Sequence, residues 1–433
     1  MFRTKVINSM KKNKLIRSFY NKYRNHIPVN VSVFSADIPE ITPFTCQRDP
    51  SDRIRLNLLV PSINQEHIFG GISTALKFFE LLAKEFDGDT RIILTDAAPS
   101  ESDLKKFPQY RVISSTDTDV TGNVIVPYND RYNRKLSVST KDVFMATSWW
   151  TAYNGYRTLE WQKKEYGQSY PLIYFIQDFE PGFYPWSSRY ALADDTYKSD
   201  NKTCAVFNSS FLADYFKLNH YVFAHEYMFE PRLNQSLKIY LDSIDDLTPI
   251  KKKQIFIYGR PSVARNAFTL IIESLKKWVW TQEDIQEWQI VSAGELHPAI
   301  DLGNGKTLKS LGKMTLDEYA KALSESMIGI SLMISPHPSY PPLEMAMFGM
   351  GVITNNYANK DLTSWHENIS SLSSANPSSI CEELQNMCRN LSEDPRKYTS
   401  GKLLNEQYIG STDQFQFVAD IKDAILHANE DQL

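Results

Sequence analysis

The most informative stretch of the chain covers residues 328–347, which read IGISLMISPHPSYPPLEMAM. The apolar run Ile328 to Ile334 predicts a buried strand, and the prolines that follow, together with Tyr340, stiffen a loop that leads into a helix at Leu343. Glu344 falls in the first helical turn, where the helix dipole favours a carboxylate that can accept hydrogen bonds from a ligand hydroxyl. Ordinary helix capping explains the same glutamate equally well.

The same alternation of short β-branched runs and longer amphipathic stretches continues on both sides of this segment. The runs are residues 54–60, 91–94, 124–126, 142–147, 172–176 and 204–207 in the first half, and 254–258, 288–292, 307–311, 328–334 and 352–354 in the second. This pattern predicts an α/β fold with two Rossmann-like, doubly wound parallel sheets, each covered by helices on both faces. Ligands bind at the carboxyl ends of such strands, so we expect a central cleft between the two sheets.

The charged stretch Asp242 to Lys253 separates the two series of strands and predicts an interdomain linker. We therefore expect a basic arm and lead-in at residues 1–50, a first domain at 51–249 and a second domain at 250–412. The last amphipathic segment, within residues 413–433, has no strand after it and is expected to dock back on the first domain.

Composition narrows the class of protein. The chain has 433 residues, 42% of them hydrophobic, a net charge of −4 and four cysteines without a C-x-x-C pair. These values favour a globular protein of a reducing cytosol and argue against nucleic acid as a partner. The sequence lacks a secretory leader, H-E-x-x-H spacing, a P-loop and G-x-S-x-G, so we expect neither a bound metal nor the chemistry of those hydrolases.

The first 36 residues carry eight Lys and Arg and neither Asp nor Glu. Apolar and aromatic residues recur in residues 1–26 at roughly helical spacing, which predicts an amphipathic helix suited to an anionic membrane surface. A helix packed on the protein itself, or a frayed terminus with solvated lysines, explains the pattern as well.

Two segments follow strand ends with residues suited to phosphate. Gly70 and Gly71 open a helix, where glycine permits close backbone approach and free N–H groups favour an anion; simple turn geometry is the alternative. Arg260 and Arg265 lie beside a strand end and a helix start, a fork of permanent charge suited to a diphosphate. Two surface arginines would give the same spacing.

Weaker candidates occur at two other strand ends. Gln177, Asp178 and Glu180 follow a strand and can contact sugar hydroxyls or cap their own loop. Thr315 and Glu318 match a capping box, which places Lys313 and Met314 in a strand-to-helix loop at the same cleft.

Taken in order, these motifs resemble the GT-B glycosyltransferases of family 4. The resemblance extends over residues 56–356 and includes Gly70-Gly71, Gly259-Arg260 with Arg265-Asn266, Leu343-Glu344-Met345-Ala346 and the run Gly349 to Thr354. Two further segments, residues 146–152 and 174–181, resemble a branch that contains bacterial rhamnosyltransferases of surface-layer glycan synthesis.

The sequence departs from the family at two places. The family's E-x7-E pair keeps only its second member, Glu344, because Pro336, next to His337, stands at the first position. The family's His-Asp pair reads Gln177-Asp178, so an amide replaces the histidine that is often placed against the sugar. The residues that contact the sugar ring are therefore left open.

The resemblance implies a retaining, metal-independent transferase that moves L-rhamnose from dTDP-β-L-rhamnose to a growing, lipid-linked glycan at the cytoplasmic membrane face. It implies that Arg260 and Arg265 hold the diphosphate, Glu344 the ribose, and Lys313 with Met314 the base. His337, Tyr340, Pro341 and Leu343 would line the donor, with Gly70, Gly71, Gln177 and Asp178 across the cleft. A non-catalytic nucleotide-sugar or glycan scaffold and a sugar-nucleotide epimerase of the same architecture remain as alternatives.

Overall fold

The computed structural model describes residues 38–64, 70–114, 121–131, 134–199, 203–244, 251–410 and 413–428. The contact pattern separates residues 1–42 from residues 43–433. The described part of the first unit contains the 3-10 helix Pro39–Ile41. The predicted membrane-binding helix at residues 1–26 lies outside the described residues and stays a prediction.

Within the described residues, the first large sheet has eight strands, and every pairing in it is parallel. In spatial order the strands are β10 (His225–Phe229), β9 (Thr203–Asn208), β8 (Leu172–Ile176), β7 (Asp142–Ala146), β2 (Arg55–Val60), β3 (Asp89–Leu94), β5 (Asn123–Pro127) and β4 (Arg111–Val112). A separate parallel pair joins β1 (Thr45–Arg48) to β6 (Lys135–Val138). The central strands are buried along their whole length, which is why they read as continuous apolar runs in the sequence.

The second sheet has seven strands within the described residues and is parallel except where β13 meets β14. Its spatial order is β13 (Ile300–Gly303), β14 (Lys306–Gly312), β12 (Gln289–Gly294), β11 (Lys252–Gly259), β15 (Ser326–Ile330), β16 (Gly351–Asn355) and β17 (Ile369–Leu372). The order reverses between β11 and β15, and in the first sheet between β2 and β7. Such reversals leave a crevice at the strand carboxyl ends.

Helices cover both sheets. In chain order they are Gly70–Phe86, Glu101–Leu104, Trp149–Tyr166, Ser188–Asp195, Ser210–Leu218, Gln235–Ser243, Phe268–Trp278, Leu316–Glu325, Pro341–Met347, Pro377–Glu393 and Val418–His427. The helix Phe268–Trp278 shows why they form, since Ile271, Leu275 and Trp278 recur at helical spacing and are buried. Among the described residues, no helix combines the length and apolarity needed to cross a bilayer.

The chain passes between the two sheets twice. The helix Gln235–Ser243 precedes the expected boundary at residue 250, yet its Leu237 packs in the core of the second sheet. The terminal helix Val418–His427 places Ile421 and Ile425 in the core of the first sheet. The two crossing segments are bonded to each other, because the Leu233 N–H donates to the Tyr408 carbonyl at 2.9 Å and Gln414 Nε2 donates to the Glu230 carbonyl at 2.6 Å.

Candidate active site

The loop after β15 forms the wall of the crevice on the second sheet. The expected strand Ile328 to Ile334 ends at Ile330, because the backbone beyond it leaves the ladder for other partners. The Met333 N–H donates to Asn355 Oδ1 at 2.8 Å, Asn355 Nδ2 donates to the Met333 carbonyl at 3.1 Å, and the Ile334 N–H donates to the Arg265 carbonyl at 2.7 Å. These bonds hold the proline-rich loop in one position.

Arg265 lies at the point where the two domains meet. Its Nε is 3.4 Å from Asp178 Oδ2, and its guanidinium carbon lies 4.1 Å from the centroid of the Phe183 ring. Asp178 and Phe183 follow β8 of the first domain, whereas Arg265 follows β11 of the second. The Asp178 side chain is buried and the Arg265 side chain is 26% exposed, so a carboxylate and a ring from across the cleft support a cation that solvent still reaches in part.

Asp178 also bonds to the loop after β15. The Ser335 hydroxyl donates to Asp178 Oδ1, the Phe179 N–H donates to the same oxygen at 2.8 Å, and the His337 N–H donates to Ser335 Oγ at 3.1 Å. The Asp178 carboxylate therefore links the two domains, because it pairs with the Arg265 side chain and accepts a hydrogen bond from the loop after β15.

His337 is a neutral imidazole in this loop. Burial is the main cause that lowers its pKa to about 4, with Lys360 and Arg265 acting in the same direction and Asp178 opposing them. Its Nδ1 accepts the Ser339 N–H at 3.0 Å, so the ring proton resides on Nε2. His337 is only 7% exposed, which leaves a small part of the ring to meet a ligand.

Glu344 occupies the first turn of the helix Pro341–Met347. Burial raises its pKa to about 7, although the Tyr319 hydroxyl donates to its Oε2 at 2.9 Å and opposes that shift. Pro341 and Leu343 are buried beside it, and the Leu343 side chain packs into the core of the second sheet.

Tyr340 crosses the cleft. Its hydroxyl lies 3.3 Å from Asn208 Nδ2, which donates to it, and it also bonds to the side chain of Thr74 in the helix Gly70–Phe86. At the start of that helix, a Cβ on Gly71 would meet Gln177 Oε1 at 2.0 Å. Glycine is therefore required at position 71 for the observed contact, because a Cβ atom would occupy the place of the Gln177 amide.

The remaining expected site residues lie at the other strand ends. Arg260 follows β11, where it flanks Gly294 and Glu295; the pKa of Glu295 is lowered first by hydrogen bonds from Ser262 and further by Arg260. Lys313 is exposed and Met314 half-buried at the start of the helix Leu316–Glu325, whose Thr315 and Glu318 form the expected capping box.

Two further buried ionisable residues lie near the site: Glu180, a weaker candidate in the sequence, and Lys360, which the sequence did not indicate. Burial raises the pKa of Glu180 to about 8, even though its carboxylate accepts the Trp149 N–H at the start of the helix Trp149–Tyr166. Lys360 donates to the Met333 carbonyl at 2.7 Å, and burial lowers its pKa to about 7 against the opposing effect of Asp178. The sequence placed Glu180 near a strand end but carried no signal for Lys360.

The two reversals of strand order, facing each other across one cleft, define the GT-B fold. A comparison with solved structures agrees: sucrose-phosphate synthase from Thermosynechococcus elongatus matches with a TM-score of 0.50 and 11% identity, over 88% of this chain and all of that one. Anabaena HepE, solved in complex with UDP, matches with a TM-score of 0.48 and 12% identity, over 88% of this chain and 98% of that one. The two parallel sheets, together with the match to sucrose-phosphate synthase, confirm the expected fold.

The chain belongs to the WsaF family. The model of the WsaF N-terminal domain matches residues 55–210, and that of the WsaF C-terminal domain matches residues 253–385. Among curated proteins, the O-antigen biosynthesis protein RfbC of Myxococcus xanthus is 25% identical over 331 residues, which cover 75% of this chain. The match spans about a quarter of the length of that relative, 24%. The expected resemblance to a rhamnosyltransferase branch is confirmed at the level of the family.

Proposed function

We propose that the chain transfers L-rhamnose from dTDP-β-L-rhamnose to a growing cell-surface glycan, with retention of the anomeric configuration and without a metal. Arg265 carries this proposal, because it is a permanent cation held at the crevice of both strand reversals by groups of the opposite domain. Membership of the WsaF family and the similarity to an O-antigen biosynthesis protein support the choice of a glycan-building reaction.

In this proposal, Arg265 and Arg260 stabilise the diphosphate as it leaves. Charge develops on the diphosphate in the transition state, so cations already in place lower the barrier more than they tighten ground-state binding. A bound diphosphate would replace Asp178 as the partner of the Arg265 guanidinium, while the Phe183 ring would keep the guanidinium in its present orientation. Glu344 would accept bonds from the ribose, Lys313 and Met314 would flank the base, and Tyr340 with Pro341 would line the diphosphate.

The other domain would supply the sugar side of the site. Gly71 and Gln177 lie against each other there, directly after Gly70, and Asp178 bonds to the loop that carries His337. The leaving phosphate itself would accept the acceptor's proton, as expected for a retaining reaction on one face of the sugar. Domain closure would exclude water and so suppress hydrolysis of the donor. We place the reaction on a lipid-linked acceptor at the cytoplasmic membrane face.

The test is acceptor-dependent release of dTDP from dTDP-rhamnose by the full chain. Arg265→Ala is expected to lower the rate by about 10², the usual cost of removing one charged donor at such a site. Arg48→Ala is the matched control, because Arg48 also pairs with a carboxylate, Glu165, and lies over a ring, 5.6 Å from the Tyr166 centroid. It should retain the parent rate.

Two outcomes would contradict the proposal. Conversion of the donor without any acceptor would identify an epimerase, and donor binding without turnover would identify a scaffold. Thermal shift against dTDP, UDP, GDP and ADP identifies the base, since a ligand at about 100 times its Kd stabilises by about 2.7 kcal/mol.

A further inference from the structure

An aromatic groove opens beside the candidate site. It has a volume of about 430 Å³, and the residues that carry its rings are Phe179, Tyr184, Trp186, Tyr190, Tyr215 and Tyr357. Trp186 is 92% exposed, a value that is unusual for the largest apolar side chain. Among the described residues, the lining of this groove has no charged side chain.

The groove is continuous with the site through two segments. Phe179 directly follows Asp178, and the 3-10 helix Glu180–Phe183 ends with the ring that supports Arg265. From the second domain, Tyr357 exchanges backbone hydrogen bonds of 3.1 and 2.8 Å with Lys360, which bonds to the loop after β15. A ligand in the groove would therefore reach the place where Arg265 and Asp178 meet.

The chemistry of the lining selects a class of ligand. Aromatic faces carry a negative quadrupole that attracts the C–H groups of a sugar ring's apolar face, and tyrosine hydroxyls bond to sugar hydroxyls. A nucleotide is a poor fit, because the lining lacks the cations that a diphosphate requires. The centroids of the Tyr215 and Tyr357 rings are 6.3 Å apart, and the two residues come from different domains. The groove therefore has its full lining only when the two domains are in contact.

We propose that the aromatic groove binds the neutral glycan acceptor, with Trp186 stacked on a sugar ring. This inference rests on the proposed function for the identity of the acceptor, but binding of a neutral oligosaccharide can be measured without any transfer. The groove then orients the terminal sugar toward the donor, mainly with side chains of the first domain, whereas Glu344 and the proposed base-binding residues belong to the second.

The experiment is calorimetric titration of the full chain with a rhamno-trisaccharide, and separately with dTDP. Trp186→Ala is expected to weaken trisaccharide binding at least about tenfold, equivalent to about 1.4 kcal/mol, with Trp186→Phe retaining part of the affinity. The dTDP affinity should stay at the parent value in both variants. Trp280→Ala is the matched control, since Trp280 is another strongly exposed tryptophan, 69%, in the second domain.

Three results would overturn the groove assignment. The first is a parent chain that does not bind the trisaccharide, and the second is a Trp186→Ala variant that binds it as tightly as the parent. The third is a Trp186→Ala variant whose affinity for dTDP falls as much as its affinity for the trisaccharide. Trisaccharide binding that depends on Trp186 in a chain unable to turn over dTDP-rhamnose would refute the proposed function and leave the groove assignment standing.

Discussion

Replacing Glu344 by Gln should make the protein more stable at pH 8 and change its stability little at pH 4.5. Burial raises the pKa of Glu344 to about 7 from an ordinary value of 4.5. A carboxyl group whose pKa is raised by folding favours the folded state fully below the unfolded pKa, and this contribution is lost as the pH rises through the folded value. The relevant window therefore runs from about pH 4.5 to about pH 7.

The magnitude follows from the size of the shift. The difference between 7 and 4.5 is 2.5 pKa units, and each unit corresponds to 1.36 kcal/mol, so the ionised carboxylate costs about 3 kcal/mol above pH 7. Glutamine has nearly the same shape, remains neutral, and keeps an oxygen to accept the Tyr319 hydroxyl. The variant should therefore recover most of this free energy at high pH.

Urea unfolding of the parent and Glu344→Gln at pH 4.5 and pH 8 measures the effect. Glu318→Gln is the control, because Glu318 is exposed, glutamine also serves in a capping box, and hydrogen bonds from Thr315 shift its pKa in the opposite direction. A stability difference between Glu344→Gln and the parent that is the same at both pH values would refute the reasoning. The variant should also bind dTDP more weakly, if Glu344 accepts the ribose hydroxyls.

Three further predictions concern the contacts that assemble the site. Gly71→Ala should change the free energy of unfolding by less than about 1 kcal/mol, because alanine favours the helix while the flexible Gln177 amide moves away. Acceptor-dependent turnover should nevertheless fall, and turnover at the parent level would show that Gln177 takes no part in the reaction. Tyr340→Phe should cost about 1 kcal/mol in urea unfolding by leaving the Asn208 amide without its partner, and an unchanged midpoint would show that the contact contributes nothing. Asn355→Ala should cost about 1 to 3 kcal/mol, since it removes two bonds to the partly buried Met333 backbone and leaves the Met333 N–H without a partner. Parent-level stability would show that these two bonds do not hold the loop.

Most of the central strands could be predicted because parallel strands buried on both faces leave continuous apolar runs, and each predicted run overlaps an observed strand. The end of β15 was misplaced because residues 331–334 are as apolar as the strand itself, and only tertiary bonds from Arg265 and Asn355 end the ladder. The helix Gln235–Ser243 was assigned to the first domain because its position in the chain precedes the charged linker, whereas its packing partners are distant in sequence.

The site was predictable where a residue type and a strand end coincide. Arg260, Arg265, Asp178 and the loop before Glu344 all follow strand ends, so their approximate location follows from topology. Lys360 had no such signal, because it lies in a turn after β16 and reaches the site only through the Met333 carbonyl. The contact between Gln177 and Gly71 depends on a side-chain position that no spacing encodes.

Because the chain passes twice between the two sheets, the relative movement of the two domains is restricted. Since the segments at Glu230 to Leu233 and Tyr408 to Gln414 are tied together by hydrogen bonds, they form one pivot in place of two independent tethers. Opening and closing of the two domains would then be confined to a swing about that single axis. The two domains could therefore separate without losing their alignment.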